Sequence, residues 1–449
     1  MNRSLSIPFA AVVLAMLPAV LDQTMLATGL PVIAGDLGRI SNVSWVVSAY
    51  VVAAAAVTPL WGKLGDRLGR KPMLELALVA FVTTSALCGA AQDMTQLIVL
   101  RLVQGASAGG LMALAMATVG DLVSPRERSR YQGYIAATFA VATIIGPLLG
   151  GALVQGASWR WVFFVNLPVG AIALIGLQLR LPAVEVEPPK VPLDGAGAAL
   201  LAAATSTLML ACIEHTGRLE LALATLVLAA ALVMRERRAA DPIVPLALLR
   251  TPTVALVSVA LFLATAALFA ITVFVPLFLQ TTTGASPTEA GLLLAPAMLG
   301  ITVSTTLAGR SIARTGRYKR FPIAGLALMT AALAALAAAS GHPSRVATGI
   351  ALVVFGLGFG MVTQVLVTAI QNTVERRELG VATATAGFFR ALGGAVGAAI
   401  LGAVFAGQAN VIDGVQAVFA VAAPLAALAL LAVLALTETP LKTGSATAE

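Results

Sequence analysis

Long apolar runs separated by short polar, mostly basic, segments dominate the chain. Reading from one polar break to the next gives fourteen runs, near 8–31, 43–61, 73–91, 97–120, 133–155, 161–180, 195–213, 219–234, 254–280, 287–308, 321–340, 346–369, 383–406 and 416–436. At about 1.5 Å per residue, a helix needs about 20 apolar residues to cross the hydrocarbon of a bilayer. Most runs reach that length, and the eighth is the shortest. No segment alternates polar and apolar positions with period two, so an outer-membrane barrel is disfavoured. The pattern predicts an all-α integral membrane protein with fourteen transmembrane helices. The first run is too long for the apolar core of a signal peptide and contains Asp22, so it is read as the first helix.

Composition agrees. Hydrophobic residues make up 59% of the chain and charged residues 11%, with a mean hydropathy of +0.96, whereas soluble domains carry about 25% charged residues. A soluble core is excluded. The net charge of +8 would suit nucleic acid, but the placement of the basic residues argues otherwise. With the N-terminus in the cytoplasm, only Arg39, Arg160, Arg218 and Arg345 of the 28 Lys and Arg fall on the far side, and only Arg101 and Arg390 fall within runs. That is the positive-inside bias, which puts both termini in the cytoplasm. The basicity reports topology, and no nucleic-acid partner is expected.

Asp22 is the acidic residue of the first run. A carboxylate at membrane depth costs about 2.5–3.5 kcal/mol on insertion scales unless it is neutral, paired or wet, and such residues commonly carry protons. Arg101, near the start of the fourth run, either donates to a carboxylate or snorkels outward. Arg390 lies deeper in its run and is expected to meet a helix carbonyl or carboxylate. Glu75 and Glu289 are weaker proton-carrier candidates, Glu75 being placed to pair with Lys71. Cys88 and Cys212 fall in separate runs and read as buried small residues. His215 and His342 read as solvated loop residues. The sequence has no Walker A loop, no paired histidine ligands and no thiol–imidazole pair, so neither an enzyme, a cofactor nor a metal site is expected. Uphill work must then draw on an ion gradient, and a lone carboxylate favours protons over sodium.

The chain also repeats itself. Gly62, Lys63, Arg67, Gly69 and Arg70, after the second run, match Gly309, Arg310, Arg314, Gly316 and Arg317, after the tenth, at one constant offset, while Asp66 is replaced by Ala313. A fainter echo links Gly105–Gly109 of the fourth run to Gly356–Gly360 of the twelfth. Runs one to six thus correspond to runs nine to fourteen. Residues 1–190 are expected as one six-helix bundle, 191–250 as two inserted helices with a cytoplasmic linker, and 251–449 as a second six-helix bundle with a short tail. Paired halves around a midplane site are a common transporter plan. The Gly62–Lys71 loop has the chemistry of a latch: Gly62, Gly65 and Gly69 allow a tight turn and close approach, Asp66 can cap a helix or pair with a base, and Arg67, Arg70 and Lys71 can meet carboxylates or lipid phosphates. Asp121, at the end of the fourth run, suits the same latch.

That loop, with its G-x-L-x-D-R-x-G-R-K spacing, resembles the signature of the major facilitator superfamily, which implies a secondary transporter. Arg101-Leu102-Val103-Gln104-Gly105 resembles the fourth-helix motif of proton-coupled drug exporters, and Gly146-Pro147-Leu148-Leu149-Gly150-Gly151 resembles their fifth-helix antiporter motif. Leu21-Asp22-Gln23-Thr24 with Leu30-Pro31, the segment Trp159–Pro168, and Gln371-Asn372 resemble motifs of the fourteen-helix drug:proton antiporters. The fuller fifth-helix pattern would have a glycine near Ala142, so looser packing is expected there. Gly146-Pro147 allows a kink, and Gly150 and Gly151 let a helix approach.

The resemblance implies a proton-coupled exporter of lipophilic or cationic small molecules, working in a bacterial cytoplasmic membrane as a monomer in contact with lipid. Asp22 and Arg101 would couple the proton. Tyr50, Gln104, Phe269, Gln280, Gln364 and Arg390 are candidate substrate contacts. A lipid or endogenous-metabolite transporter, or less readily an importer, would share these features.

Overall fold

The computed structural model of the chain describes residues 3–37, 43–123, 125–182, 193–213, 217–239, 242–243, 246–283, 294–339, 344–375, 378–439 and 441. Among the described residues the regular structure is helical. The helices of the first half are α1 Arg3–Leu37, α2 Val43–Leu68, α3 Arg70–Gly89, α4 Met94–Leu122, α5 Pro125–Gly156, α6 Trp161–Phe164, α7 Asn166–Arg180, α8 Gly195–Ile213 and α9 Arg218–Glu236. The second half contains helices Pro252–Phe269, Val275–Thr283, Ala295–Thr315, Arg320–Ala339, Arg345–Gly360, Thr363–Thr373, Leu379–Ala406 and Val411–Leu434, with a short helix Leu246–Arg250 before them. Ten helices among the described residues are long and apolar enough to cross a membrane, and Gly195–Ala211 is a shorter apolar helix.

Three of the expected runs are not single regular helices, and each break has a local cause. Run 161–180 divides at Val165. Pro168 lacks the N–H that would bond the carbonyl four residues back and crowds the preceding turn. Run 254–280 contains a π-turn at Ala270–Phe274, directly ahead of Pro276, where a wider turn absorbs the same clash. Run 346–369 breaks after Gly360, at the end of a glycine-rich stretch with little to hold helical torsions.

Contacts divide the chain into two compact units. The first comprises 1–122, 138–246 and 375–388, and the second 123–137, 247–374 and 389–449. Within the first unit α1 packs on α7, α7 on α3, α3 on α4, and α4 on α2. Within the second, Pro252–Phe269 packs on Val411–Leu434, that helix on Arg320–Ala339, that on Arg345–Gly360, and that on Ala295–Thr315. The adjacency is the same in the same chain order. The helices α8 and α9 pack on each other, joined by a Thr225–Thr207 hydroxyl bond of 3.0 Å, and α8 also rests on α2. At the foot of this pair Asp194 caps α8 by accepting from the Gly197 N–H at 3.0 Å and takes Arg235 Nε at 3.0 Å.

The repeat extends to atomic detail. A Cβ on Gly105 would run into the Tyr50 backbone of α2, and one on Gly109 into the Ala54 carbonyl. In the second unit Gly356 lies as closely against Ala297, and Gly360 against Ile301. The offset that carries Gly62 to Gly309 also carries Tyr50 to Ala297 and Ala54 to Ile301, so the same crossing is built twice. The missing side chains let backbones touch in a setting where helix association rests on van der Waals fit rather than on water exclusion. The matched loops agree: Gly69 has φ 93° and Gly316 φ 68°, a region that glycine enters without steric cost.

Gly105→Ala and Gly356→Ala should each destabilise the protein by about 1–3 kcal/mol, the usual cost of overpacking. Gly349→Ala, where a Cβ meets nothing within 4 Å, is the control. Thermal unfolding in detergent measures all three, and equal midpoints for the three variants would remove the glycines from this role.

Candidate functional site

Asp22 lies on α1 with no solvent-exposed area, enclosed by α2, α3, α4 and α7. Its Oδ2 accepts from Arg101 Nη1 at 2.5 Å. Its Oδ1 accepts from Gln104 Nε2 at 3.1 Å and from Asn166 Nδ2 at 3.4 Å. Arg101 is only 1% exposed, so it turns inward instead of snorkelling. Its Nε donates to the Val46 carbonyl at 3.0 Å and its Nη1 also to Gln104 Oε1 at 2.7 Å. The guanidinium carbon stands 4.2 Å from the Tyr50 ring centre, within cation–π range. The surrounding wall of Leu21, Met25, Val46, Cys88, Leu97 and Phe163 is apolar. A charge pair without water must be held by internal hydrogen bonds, and the network supplies them.

A second shell supports the amides. Cys88 Sγ donates to Gln104 Oε1 at 3.5 Å. Asn166 Nδ2 also donates to Ser85 Oγ at 3.0 Å, and that hydroxyl donates to the Phe163 carbonyl at 2.9 Å. The helix break at Val165 leaves that carbonyl available and starts α7 at Asn166. Ala142, expected to be a loose spot, is 2% exposed within this apolar cluster, because an alanine suffices to fill the contact. Gly146 of α5 does approach α1 closely, a Cβ there striking the Thr24 hydroxyl. Gly151 does not: its Cβ would meet nothing within 4 Å, so the expected close approach is carried by Gly146. Gly150 is buried, and the Pro147 side chain lies outside the described residues.

At the far end of α1, Asp36 Oδ2 accepts from Trp159 Nε1 at 2.8 Å and from Arg160 Nη1 at 2.9 Å. Arg160 Nη2 reaches the Ala91 carbonyl at 3.1 Å, and its guanidinium lies 4.3 Å from the Trp159 ring centre. The indole hydrogen bond first, and the arginine second, hold the Asp36 carboxyl below its ordinary range. The segment 159–166 therefore grips α1 twice, at Asp36 and at Asp22.

The Gly62–Lys71 loop forms a cluster of its own within the first unit. Asp66 accepts from the backbone N–H groups of Gly380 at 2.9 Å and Val381 at 2.8 Å, capping the helix Leu379–Ala406. Arg70 bridges Asp66 at 2.9 Å and Asp121 at 2.5 Å and donates to the Ala117 carbonyl at 2.7 Å. A Cβ on Gly62 would press on Gly380 and Ala384, and one on Gly65 on Leu114. Lys71 donates to the carbonyls of Gln178 at 3.1 Å and Leu181 at 2.7 Å, closing the end of α7. It does not pair with Glu75, whose Oε1 is buried without a partner, because those carbonyls take its amine. Arg67 has partners of its own.

A sequence profile described as Major Facilitator Superfamily matches residues 12–398. The chain belongs to the major facilitator superfamily. It is a multi-pass membrane protein of that family, a family of transporters and not of enzymes. It is similar to an uncharacterized MFS-type transporter of Mycobacterium tuberculosis (strain ATCC 25618 / H37Rv), 39% identical over 408 residues, 89% of this chain and 59% of the relative. The chain thus spans about three fifths of that relative's length. Multidrug transporter protein MdtP of Bacillus subtilis (strain 168) is 33% identical over 403 residues, 87% of this chain and 74% of the relative. The crystal structure of the human organic anion transporter MFSD10 superposes with a TM-score of 0.72 at 19% identity, covering 96% of this chain and 100% of that one, a likeness of fold.

Several candidate residues of this facilitator are not where a substrate wall was expected. Tyr50 and Gln104 are enclosed in the Asp22 network, Tyr50 donating to the Ala19 carbonyl at 3.4 Å. Phe269 and Gln364 are partly buried in the second unit, and Gln364 Oε1 has no partner. Arg390 is partly buried and, contrary to expectation, makes no hydrogen bond to a carbonyl or carboxylate among the described residues. Glu289 and the side chain of Gln280 lie outside the described residues. Ser85, Asn166 and Asp36 were missed as site residues. The available signals were, for Ser85 and Asn166, isolated polar residues inside apolar runs and, for Asn166, a position two residues ahead of a proline; Asp36, between runs, gave none.

Two outcomes follow. Asp66→Ala removes the acceptor of two helix-terminal N–H groups and should cost about 1 kcal/mol, read as a lower unfolding midpoint, whereas Asp66→Asn should cost less. For Asp36, a folded-state value lying below the unfolded one means that its contribution holds above the unfolded value and fades as pH falls through the folded one. The stability gap between the protein and Asp36→Asn should therefore stay constant from about pH 8 to about pH 5 and shrink only in stronger acid. A gap that closes already near pH 6 would contradict the clamp.

Proposed function

We propose that this chain is a proton-coupled exporter of lipophilic or cationic small molecules, an antiporter working by alternating access. The observation that carries the reading is the enclosed Asp22–Arg101 pair at 2.5 Å. An ionised carboxylate without water is stable only while its donors stay in place. Separation of α4 from α1 would strip Arg101 and Gln104 from Asp22, so the acid would then hold a proton instead. Closure would restore Arg101 and Gln104 and expel it. Conformation and protonation are linked through one set of hydrogen bonds, as an exchanger requires.

In this reading the chain forms fourteen transmembrane helices as two six-helix bundles, 1–190 and 251–449, with α8 and α9 inserted between them in sequence. Both termini lie on the cytoplasmic side of a bacterial inner membrane, a topology supported by the placement of the basic residues. Asp66, Arg70 and Asp121 act as a latch, with Gly62, Gly65, Arg67, Gly69 and Lys71 shaping it. Gly146, with Pro147 and Gly150, seals α5 against α1. Phe269, Gln280, Gln364 and Arg390 are the remaining substrate contacts, while Tyr50 and Gln104 belong with the proton site. The name of the Bacillus subtilis relative supports drug-like cargo.

The energetics suffice. A proton crossing 100 mV supplies about 2.3 kcal/mol and one pH unit about 1.4 kcal/mol, together enough for roughly a 500-fold gradient of a neutral compound at one proton each. For a monovalent cation exchanged one for one the electrical terms cancel and the pH term remains.

In everted vesicles, addition of ethidium should release protons from the wild type and not from Asp22→Asn. Removing one partner of a buried pair is destabilising, by about 3–5 kcal/mol, so unfolding midpoint and ethidium binding are measured alongside. Undiminished proton release from a folded Asp22→Asn protein would sink the assignment.

A further inference from the structure

The donors and acceptors around Asp22 point to a residue that reads its protonation state. An ionised carboxylate only accepts hydrogen bonds, whereas a protonated one must also donate. Protonation therefore requires one neighbour to offer an acceptor where it had offered a donor. Arg101 cannot, having no acceptor. Gln104 is pinned: its Oε1 already accepts from Arg101 at 2.7 Å and from Cys88 at 3.5 Å, and turning it over would set an NH2 group against the guanidinium. Asn166 is different. Its Nδ2 donates to Asp22 at 3.4 Å, while its Oδ1 is buried with no partner. Its other neighbour, Ser85 Oγ, is a hydroxyl and serves the amide in either orientation, donating or accepting.

Among the described residues, the other groups facing Asp22 do not offer this. From α2 come Tyr50, whose hydroxyl donates to the Ala19 carbonyl, and the Val46 carbonyl, taken by Arg101. From α3 comes the Cys88 thiol, engaged with Gln104. From α4 come Arg101 and Gln104, and from the neighbouring α5 the apolar Ala142 and Val154. The unpaired amide oxygen of Asn166 is thus the acceptor that lies one side-chain rotation from the carboxylate.

We propose that Asn166 is the positioning partner that switches with Asp22, its amide donating to the ionised carboxylate and, turned over, accepting from the protonated one. The inference rests on Asp22 being the proton carrier. It gives the proton a mechanical reader, because Asn166 begins α7 and sits in the segment whose Trp159 and Arg160 hold the end of α1 at Asp36. Gain or loss of one proton changes the bond between the middle of α1 and the start of α7.

The test uses infrared difference spectra of the full chain with ¹³C-labelled asparagine, recorded between high and low pH. The label should report an asparagine amide C=O band that shifts when Asp22 is protonated and is static in Asp22→Asn. In ethidium transport, Asn166→Ala and the bulkier Asn166→Leu should both move the pH midpoint upward, by roughly half a unit to one unit, because the bond lost to the ionised carboxylate is charge-assisted and outweighs the one lost to the neutral acid. An unshifted amide band in the wild type overturns the proposal even if both variants misfold, and so does an unmoved midpoint in either folded variant. Failure of the underlying reading looks different: Asp22→Asn itself would keep releasing protons.

Discussion

A charge pair shut away from water governs this structure. Asp22 and Arg101 sit in a wall of apolar side chains, and an unpaired charge there would be intolerable. Helices α2, α4 and α7 must therefore meet α1 at one point to deliver the Val46 carbonyl, Gln104 and Asn166 within hydrogen-bond reach, with Ser85 of α3 holding Asn166. The site constrains the fold as much as the fold constrains the site. Its closure is complete in this conformation, and the pair has its full set of donors only while α1, α4 and α7 stay together.

The approach of α4 to α2 that brings Arg101 to Val46 depends on glycine. Gly105 and Gly109 let the two backbones touch, beside the residues that bond Asp22, and Gly356 and Gly360 repeat the crossing in the second unit. Yet, among the described residues, no buried ion pair like that of Asp22 and Arg101 accompanies the second crossing. Ala297 stands where Tyr50 stands in the first, with no ring to cover a guanidinium. The packing is shared by the two units, while the side chains that hold Arg101 in the first differ at the matching positions of the second.

The loop after α2 shows the same economy. Asp66 binds two helix-terminal N–H groups and Arg70, and Arg70 in turn holds Asp121. At the matching position of the repeat, Ala313 has no carboxylate to offer. The clamp at Asp36 belongs to a third kind of contact, partly exposed, where an indole and a guanidinium share one carboxylate. Segment 159–166 links that clamp to the buried pair, so the middle and one end of α1 are held by one short stretch of chain.

Much of this was legible in the residues themselves. The apolar runs fix helices, since a backbone in hydrocarbon must satisfy its own hydrogen bonds. Asp22 and Arg101 stand out because charge there is expensive, and the Gly62–Lys71 and Gly309–Arg317 loops declare the repeat by their spacing. The helix breaks at Val165 and Gly360, the inward turn of Arg101 and the enclosure of Tyr50 could not be read the same way. Nor could the parts played by Ser85 and Asn166, which are ordinary polar residues until a fold brings them beside a carboxylate. Local patterning decides which segments are helices and which residues are costly to bury. Only the packed structure decides which partners relieve that cost, because hydrogen bonds form between groups far apart in the chain and their geometry exists only once the helices have met.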